Sequence, residues 1–269
     1  MSERPSVAAN FDRYIRQTAY PPLGRMGQQR LDESRVLVCG CGALGSTLAN
    51  LLVRAGVGRV RIADRDLVET HNLHRQVLFN EDDVDRKMPK AVAAAEKLRS
   101  INSQVEIEPI VVDIDCTNIE SLCQGVDVIV DGTDNFPTRF LINDVAVKHG
   151  IPWVHGGCLG AEGQTMTIVP GETACLRCLM PECPPTETTP TCATAGVLGP
   201  IVGLIASIEA IEAIKILSGN RGAVSRSLTV VELWDARIRQ IDIADLRNQV
   251  DCRACKRGEF SWLMPKCNS

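Results

Sequence analysis

A glycine-rich turn is the first feature of this sequence that could do chemistry. Gly40, Gly42 and Gly45 have the spacing G-x-G-x-x-G, and Asp64 follows about 20 residues later. In such a motif the glycines allow a tight turn, close approach of the backbone to a phosphate, and close packing of a helix on a strand. The first amides of the helix would face an anion, and a carboxylate at Asp64 can accept hydrogen bonds from ribose hydroxyls. The pattern predicts a nucleotide site without saying which nucleotide it binds.

A polar and cationic segment follows Asp64, where the second predicted strand leads toward the next helix. It contains Asp66, Asn72, Arg75 and Gln76. Open α/β sheets bind ligands beside the carboxyl ends of their strands, so this segment should border the nucleotide crevice. We expect Asn72 and Gln76 to make polar contacts near the phosphates. The segment is unlike the corresponding part of an ordinary dehydrogenase.

Three further charged positions belong to the same edge of the predicted sheet. Lys90 begins a predicted Ala-rich helix, where the helix dipole disfavours a cation. A functional role for this lysine is therefore favoured over that of an exposed surface charge. Asp131 and Asp134 follow the fourth predicted strand. Asp131 could merely cap the turn that comes next.

Paired cysteines form a separate set. The sequence contains Cys175-x-x-Cys178 and Cys252-x-x-Cys255 among its 12 cysteines. Tetrahedral zinc needs soft ligands, and each C-x-x-C turn supplies a pair of them. We therefore expect a structural zinc site that joins the C-terminal tail, which carries Cys252 and Cys255, to the loop that carries Cys175 and Cys178. Cys183 is a spare candidate ligand.

The elements that must position these residues alternate between strand and helix. The apolar run 36–39 predicts a buried parallel strand, and the pattern after it predicts a helix that ends at Gly56. The predicted fold is α/β: a Rossmann-like domain whose mostly parallel sheet is extended by antiparallel strands. The later strands are expected at 104–112, 127–130, 152–155, 164–169, 228–233 and 238–243.

We divide the chain into four segments. They are an N-terminal arm and helix (1–34), a nucleotide-binding core (35–170), a Cys/Thr/Pro-rich crossover loop (171–195), and an apolar helix with antiparallel strands and a zinc-binding tail (196–269). The apolar helix is expected from Gly196 to Leu217, and residues 81–85 are expected to form an acidic loop.

Composition limits the possible classes of protein. The 269 residues are 45% hydrophobic and 23% charged, with a net charge of −4. That balance, without a run of lysine or arginine, argues against a nucleic-acid partner. No apolar stretch reaches the roughly 20 residues of a membrane span, and the N-terminus is polar, so we expect a cytoplasmic location.

Motifs in a fixed order resemble a known family. They are RYIRQ at 13–17, GCGALG at 40–45, D-x-D at 64–66, NLHRQ at 72–76, PK at 89–90, DGTDN at 131–135, CLRC at 175–178, CATAGVLGP at 192–200 and CRAC at 252–255. Together they resemble the ThiF/MoeB/HesA group, the bacterial relatives of the ubiquitin-activating enzymes. The resemblance covers nearly the whole chain, from Arg13 to Cys255.

This resemblance implies an activity. Family members use ATP with Mg²⁺ to adenylylate the C-terminal glycine of a small ubiquitin-like sulfur carrier protein. The carboxylate attacks the α-phosphate, pyrophosphate leaves and an acyl adenylate remains. The expected partner is a ThiS-like or MoaD-like carrier ending in Gly-Gly, in thiamine or molybdopterin biosynthesis.

The resemblance also assigns roles to residues of the crevice. Arg75 and Lys90 match the phosphate-binding cations, and Asp134 matches the magnesium-binding aspartate. The segment 85–90 is longer than is usual in the family, so Lys87 competes with Lys90. We prefer Lys90 because it directly follows Pro89, as in the family motif.

Two residues outside that set take their expected roles from the resemblance. Arg16 matches an arginine that reaches into the partner subunit's ATP site, which implies a homodimer; without the resemblance it would be an exposed helix charge. Cys192 matches a cysteine that attacks the adenylate or takes part in sulfur transfer. A thiolate near a helix N-terminus has a lowered pKa. The alternative is that adenylylation alone suffices and Cys192 is a bystander.

Other functions remain open at this point. No rhodanese domain follows in the sequence, so we expect sulfur to come from a separate donor such as a cysteine desulfurase. An NAD-dependent oxidoreductase is supported by the glycine motif alone. An activating enzyme for another peptide or protein tail, and a non-catalytic partner in a heterodimer, are the remaining alternatives.

Overall fold

One mixed sheet organises the protein, for which a computed structural model describes residues 12–185 and 190–264. Its eight strands lie in the order β3-β2-β1-β4-β5-β6-β7-β8. Their bounds are β1 Arg35–Cys39, β2 Arg59–Ala63, β3 Glu106–Ile110, β4 Val128–Asp131, β5 Trp153–Leu159, β6 Glu162–Ile168, β7 Ser227–Glu232 and β8 Arg237–Asp242. Strands β1 to β5 pair in parallel, and β6, β7 and β8 extend the sheet in antiparallel pairing. The predicted fold class is confirmed.

Helices cover both faces of this sheet. Their bounds are α1 Ile15–Thr18, α2 Gly24–Glu33, α3 Ala43–Ala55, α4 Glu81–Asp85, α5 Lys90–Ile101, α6 Ile119–Leu122, α7 Phe136–His149, α8 Leu176–Leu179, α9 Cys192–Ala195, α10 Gly199–Leu217 and α11 Leu246–Gln249. One apolar cluster joins α3, α5 and α10 to the sheet, and a second joins α6, α7, α8 and the C-terminal segment to the opposite face.

The unit β1–α3–β2 places the glycine turn. Strand β1 is apolar and buried from Val36 onward, as expected for a strand covered on both faces. Helix α3 ends at Gly56, whose φ of 83° is left-handed and whose N–H group caps the carbonyls of Leu52 and Val53. The predicted end of this helix is therefore confirmed, and the helix begins immediately after Gly42.

Three sequence-based expectations about elements were wrong or incomplete. Residues 81–85 form a helix rather than a loop, because the Asn80 side chain caps it and three acidic residues suit its first turn. Helix α10 begins at Gly199 rather than Gly196, since Gly196 has a φ of 74° and Leu198 donates its N–H to Gly160. The crossover loop 171–195 contains the short helices α8 and α9.

Helix α10 is the apolar helix that the sequence predicts at 196–217. Most of its surface is buried against α3, β5 and β6. Its two acidic residues, Glu209 and Glu212, are also buried. Within the described residues, no helix combines the length and the apolarity that crossing a membrane requires.

Candidate active site and metal centre

A cavity of about 920 Å³ lies at the carboxyl-terminal edge of the parallel strands. It opens between β1 and β4, which are neighbours in the sheet although β2 is the next strand along the chain. Ligands of open α/β sheets bind where the strand order reverses in this way. The predicted site residues that border the cavity are Gly40, Gly42, Asp64, Asp66, Asn72, Arg75, Gln76, Lys90, Asp134 and Cys192.

Close packing explains the glycine turn. Gly40 has a φ of 81°, and a Cβ on Gly45 would lie 1.9 Å from the Gly40 carbonyl oxygen. A Cβ on Gly132, whose role sequence reasoning missed, would lie 2.3 Å from the same oxygen. At Gly42, in contrast, the nearest atom would be 3.8 Å away, on the Gln76 side chain. The turn is therefore tight behind Gly40 and open toward the cavity at Gly42, as a backbone that approaches phosphate requires.

Asp64 is fixed by the backbone at the end of β2. Its carboxylate accepts hydrogen bonds from the N–H groups of Cys41 at 2.6 Å and Asp66 at 2.7 Å. Burial raises the pKa of Asp64, although these bonds and Lys90 partly offset the effect. A carboxylate has lone pairs beyond those two bonds, so Asp64 can still accept from a ligand hydroxyl.

Residues 72–76 and 89–90 form part of the cavity lining, here called the NLHRQ–PK wall, and Arg75 and Lys90 are its cations. The Lys90 ammonium is buried and forms a 2.8 Å ion pair with Asp66. The Arg75 guanidinium donates to the His71 carbonyl at 2.8 Å and lies 2.7 Å from Nε2 of His74. Lys87, the competing lysine, is exposed and is not among the residues that border the cavity. The structure therefore places Lys90 and Arg75 together at the cavity.

Gln76 has an unused polar atom at this wall. Its side chain is 3% exposed, and Oε1 has no hydrogen-bond partner among the described residues. Buried polar atoms of proteins are generally paired, so an unpaired one that borders a cavity fits a polar ligand. Asn72 is also buried, and its side chain accepts from the N–H of Glu69 at 3.3 Å.

Asp134 also borders the cavity and follows β4. Its side chain is exposed to the cavity and, within the described chain, has neither a hydrogen bond nor an ion pair. Its carboxylate oxygens are therefore available to a hard cation such as Mg²⁺. Asp131 caps the turn, as the sequence allowed, by accepting from the Thr133 N–H at 2.9 Å, but it does more than cap.

A buried charge network underlies that turn and was missed by sequence reasoning. Asp131 contacts His155 at 2.8 Å and Nε of Arg139 at 3.4 Å. Arg139 also donates to the carbonyls of Thr133 at 2.8 Å and Gly156 at 3.1 Å. The available signal was a lone arginine inside the predicted helix 137–149, next to an apolar run. That position alone does not reveal which way the guanidinium points.

The structure corrects the expected acidity of Cys192. Cys192 begins α9, which is a separate helix of four residues and not the start of α10. Burial and the nearby Asp134 carboxylate raise the pKa of its thiol, and Arg75 and Arg139 offset this only in part. The expectation of a lowered pKa is therefore wrong for this structure.

The four cysteines of the two C-x-x-C pairs converge at a second site. Their sulfur atoms all lie within 4.8 Å of one another, with Cys175–Cys252 at 3.6 Å and Cys178–Cys255 at 3.4 Å. Sulfur ligands at about 2.3 Å from a tetrahedral zinc ion lie about 3.8 Å apart, so the arrangement fits zinc. Hydrogen bonds from Cys175 and Cys178 lower the pKa of the Cys255 thiol to about 7. Cys183 is not in this group.

Helix α7 anchors the cysteine cluster. Asn143 accepts the Leu176 N–H at 2.9 Å, and Asp144 forms a buried 3.1 Å ion pair with Arg177. Asp144 also accepts the N–H of Trp262 at 3.2 Å. These contacts join the loop of Cys175 and Cys178 to the C-terminal segment, which is the connection predicted for a structural metal site.

Arg16 is not brought to the cavity within this chain. It lies on α1 and is exposed. Of the predicted cofactor-binding residues, Gly45 also does not border the cavity, because it packs behind Gly40.

Comparison with known proteins identifies relatives. The sequence profile of the ThiF family matches residues 14–254. "Sulfur carrier protein ThiS adenylyltransferase" of Bacillus subtilis is 52% identical over 172 residues, covering 64% of this chain and 51% of that protein. "SAMP-activating enzyme E1" of Haloferax volcanii is 45% identical over 177 residues, covering 66% of this chain and 64% of that protein. "Adenylyltransferase and sulfurtransferase MOCS3" of Xenopus laevis is 42% identical over 243 residues, covering 90% of this chain and 53% of that protein.

The chain spans between 51% and 64% of the length of these curated relatives. Among solved structures, E. coli MccB is similar with a TM-score of 0.78 and 22% identity, covering 95% of this chain and 76% of that one. At that identity the likeness establishes the fold.

Proposed function

This chain belongs to the ThiF family, and from that premise we propose that it adenylylates the C-terminal glycine of a ubiquitin-like sulfur carrier protein. The reaction consumes ATP and releases pyrophosphate. The carrier is of the ThiS or MoaD type and ends in Gly-Gly, and the product serves thiamine or molybdopterin biosynthesis. The relatives named adenylyltransferases support this assignment.

One observation carries the proposal: two cations border the same cavity as a carboxylate that has no partner among the described residues. The cations are Arg75 and Lys90, and the carboxylate is Asp134. A dinucleotide oxidoreductase has no need of such a set, because it transfers a hydride and leaves the phosphates intact. Phosphoryl and nucleotidyl transfer depend on charges positioned around the phosphates.

We assign the parts of the crevice as follows. The open backbone at Gly42 receives the phosphates, and Asp64 accepts from the ribose hydroxyls. Arg75 holds phosphate oxygens with two parallel donors, while Lys90 acts as a point charge. Asp66 keeps the Lys90 ammonium in place through the 2.8 Å ion pair. Asn72 and Gln76 add polar contacts.

Asp134 would hold Mg²⁺, which offsets negative charge on the phosphates when it is bound. The carboxylate of the carrier attacks the α-phosphate, a bond to the bridging oxygen of pyrophosphate breaks, and pyrophosphate takes that electron pair. The chain's own contribution is to orient the two anionic reactants and to exclude water from the adenylate. Zinc at the cysteine cluster has a structural role.

Further parts of the proposal concern partners. We propose a homodimer in which Arg16 of one subunit reaches the cavity of the other, and the exposed position of Arg16 is compatible with that role. Sulfur would come from a separate donor such as a cysteine desulfurase. Cys192 borders the cavity and is available for the later sulfur-transfer steps. Free thiols among the described cysteines suit a reducing cytoplasm.

The test is pyrophosphate release by the purified protein with ATP and a ThiS-like carrier that ends in Gly-Gly. We expect release that depends on both substrates. Reduction of NAD in the absence of ATP would instead support an oxidoreductase. Release with a short peptide, but not with the ubiquitin-like carrier, would support activation of another kind of tail.

A further inference from the structure

A buried group of four ionisable residues lies beneath the wall of the cavity that carries Asp134. It consists of Asp131, Arg139, His155 and Glu209, all of which are buried. Glu209 packs against the β5 backbone so closely that a Cβ on Gly156 would lie 1.9 Å from its Oε1. The proposed function uses none of these four residues.

The charges of this group can be assigned from their surroundings. Burial would raise the pKa of Asp131, but the Arg139 cation and bonds from His155 and Thr133 outweigh it and lower the pKa. Burial lowers the pKa of His155 and raises that of Glu209 well above its ordinary value. The Asp131 carboxylate and the Arg139 guanidinium therefore face each other as an ion pair, and burial favours the neutral forms of His155 and Glu209.

The bonds of Arg139 leave part of its guanidinium unused. Nη2 donates to the carbonyls of Thr133 and Gly156, and Nε faces the Asp131 carboxylate at 3.4 Å without forming a hydrogen bond. Nη1 has no hydrogen-bond acceptor among the described residues. A guanidinium carries further N–H donors on that side, and their geometry matches a carboxylate.

The side of the Arg139 guanidinium that carries Nη1 lies next to the cavity. Arg139 borders the cavity together with Gly157, Cys158 and Cys192. A Cβ on Gly157 would lie 3.2 Å from Nη2 and 3.4 Å from Nη1 of Arg139, so a larger residue there would crowd the guanidinium. The absence of a side chain at Gly157 leaves this side of the guanidinium uncrowded.

Two anions must meet in the proposed reaction, the triphosphate and the attacking carboxylate. Arg75 and Lys90 serve the triphosphate from the NLHRQ–PK wall. A further cation is needed near Asp134 and Cys192 if the carboxylate is to approach against the repulsion of the phosphates. We propose that Arg139 is the binding residue for the terminal carboxylate of the carrier tail, and that Asp131 and His155 position it.

This inference rests on the proposed function, and binding without turnover separates the two. The probe is a ThiS-like carrier ending in Gly-Gly, prepared with a free C-terminal carboxylate and as the C-terminal carboxamide. Calorimetry without ATP gives the Kd of each form, and ATP alone is titrated in parallel. A hydrogen bond between charged groups predicts that the wild-type protein binds the carboxylate form at least about tenfold more tightly.

Arg139→Gln should remove that preference, so that the two carrier forms bind within about threefold of each other, while the Kd for ATP stays within about threefold of wild type. Arg86→Gln is the matched control, because Arg86 is exposed, forms an ion pair with Glu96 and is not among the residues that border the cavity. If Arg139→Gln does not fold, the double variant Asp131→Asn, Arg139→Gln removes the buried anion together with its cation and is measured in the same way.

Three results would overturn the proposal. A tenfold preference for the carboxylate that survives in a folded Arg139 variant would show that another group binds the tail. Loss of ATP affinity alone would place Arg139 on the phosphates. Equal binding of both carrier forms by the wild-type protein would show that no such subsite exists. A wild-type protein that binds neither carrier form would instead count against the proposed function itself.

Discussion

At the scale of single residues, Lys90 shows how the crevice holds its cations. The ammonium is buried at the start of α5, where the helix dipole opposes a positive charge. The 2.8 Å ion pair with Asp66 offsets that cost, and the cavity supplies the space for an anion. Lys87 has a φ of 50°, is exposed and borders no part of the cavity. The preference for Lys90 as the phosphate-binding lysine stays a prediction, now with a geometric basis.

Asp134 gives the sharpest prediction at this scale. Asp134→Ala should abolish ATP–pyrophosphate exchange, because the carboxylate proposed to hold Mg²⁺ is lost. The melting temperature should stay unchanged, since the side chain has no partner among the described residues. Isotope exchange and a thermal melt measure the two effects. Asp85→Ala, at the exposed end of α4, is the control that should retain exchange. Normal exchange by Asp134→Ala would remove this residue from the mechanism.

Gly45 links residue type to the shape of the nucleotide turn. In Gly45→Ala the new Cβ would lie 1.9 Å from the Gly40 carbonyl, so α3 or the turn must move. Overpacking of this kind costs about 1–3 kcal/mol in the free energy of unfolding, and the displaced turn should weaken ATP binding at least about tenfold. Urea unfolding and ATP titration measure both. Gly222→Ala, where a Cβ meets nothing within 4 Å, should leave both values nearly unchanged.

At the scale of elements, α10 carries a buried acid whose effect depends on pH. Glu209 is fully buried, and both of its carboxyl oxygens lack a hydrogen-bond partner among the described residues. Its pKa is raised well above the ordinary value of 4.5, first by burial and then by Asp131. The folded protein therefore holds a proton that the unfolded chain releases above about pH 4.5.

Raising the pH should destabilise the wild-type protein relative to a variant that lacks this carboxyl group. The stabilisation from this proton is complete below the unfolded pKa and is lost as pH rises toward the folded pKa, at up to about 1.4 kcal/mol per pH unit. Glu209→Gln has no such proton, so it should become progressively more stable than wild type as the pH rises from 5. Urea unfolding at a series of pH values measures the difference. A constant difference between the two proteins would mean that Glu209 is ionised in the folded state.

The cluster of Cys175, Cys178, Cys252 and Cys255 joins α8 to the C-terminal segment. If it holds zinc as proposed, loss of one ligand should change both metal content and stability. Cys252→Ser should lower the zinc content from about one ion per chain and reduce the melting temperature, because removal of a ligand opens the site. Elemental analysis and a thermal melt measure these changes. Cys183→Ser should leave the metal content intact, since Cys183 lies outside the cluster. Equal zinc in both variants would contradict the four-cysteine site.

Local pattern and spacing were sufficient for much of the fold. The apolar run of β1 and Gly56 at the end of α3 gave the first β–α–β unit, and the C-x-x-C spacing predicted a cluster that the structure brings together. Contacts between elements that are distant in the chain could not be predicted from local pattern and spacing. The Arg139–Asp131–His155 group joins α7, β4 and β5, and a sequence does not state how a buried guanidinium is oriented. The capped helix 81–85 was missed because its acidic composition resembles a loop.

At the scale of the whole molecule, one sheet connects the two functional regions. Strands β1 and β4 lead to the nucleotide crevice, and the antiparallel strands β5 to β8 continue the same sheet beside the crossover loop and the cysteine cluster. The loop therefore borders the cavity at Cys192 and contributes Cys175 to the cysteine cluster. The division into four segments stays an interpretation, and residues 1–11, 186–189 and 265–269 lie outside the part that the structure describes.

The most direct test of the central claim is the transfer of AMP to the carrier terminus. The protein is incubated with ATP labelled at the α-phosphate and with a ThiS-like carrier ending in Gly-Gly, and the label on the carrier is measured by rapid gel filtration. We predict label on the carrier that appears together with pyrophosphate and is absent when the C-terminal carboxylate is replaced by a carboxamide. Tight binding of ATP and carrier without any labelled carrier or pyrophosphate would contradict the account.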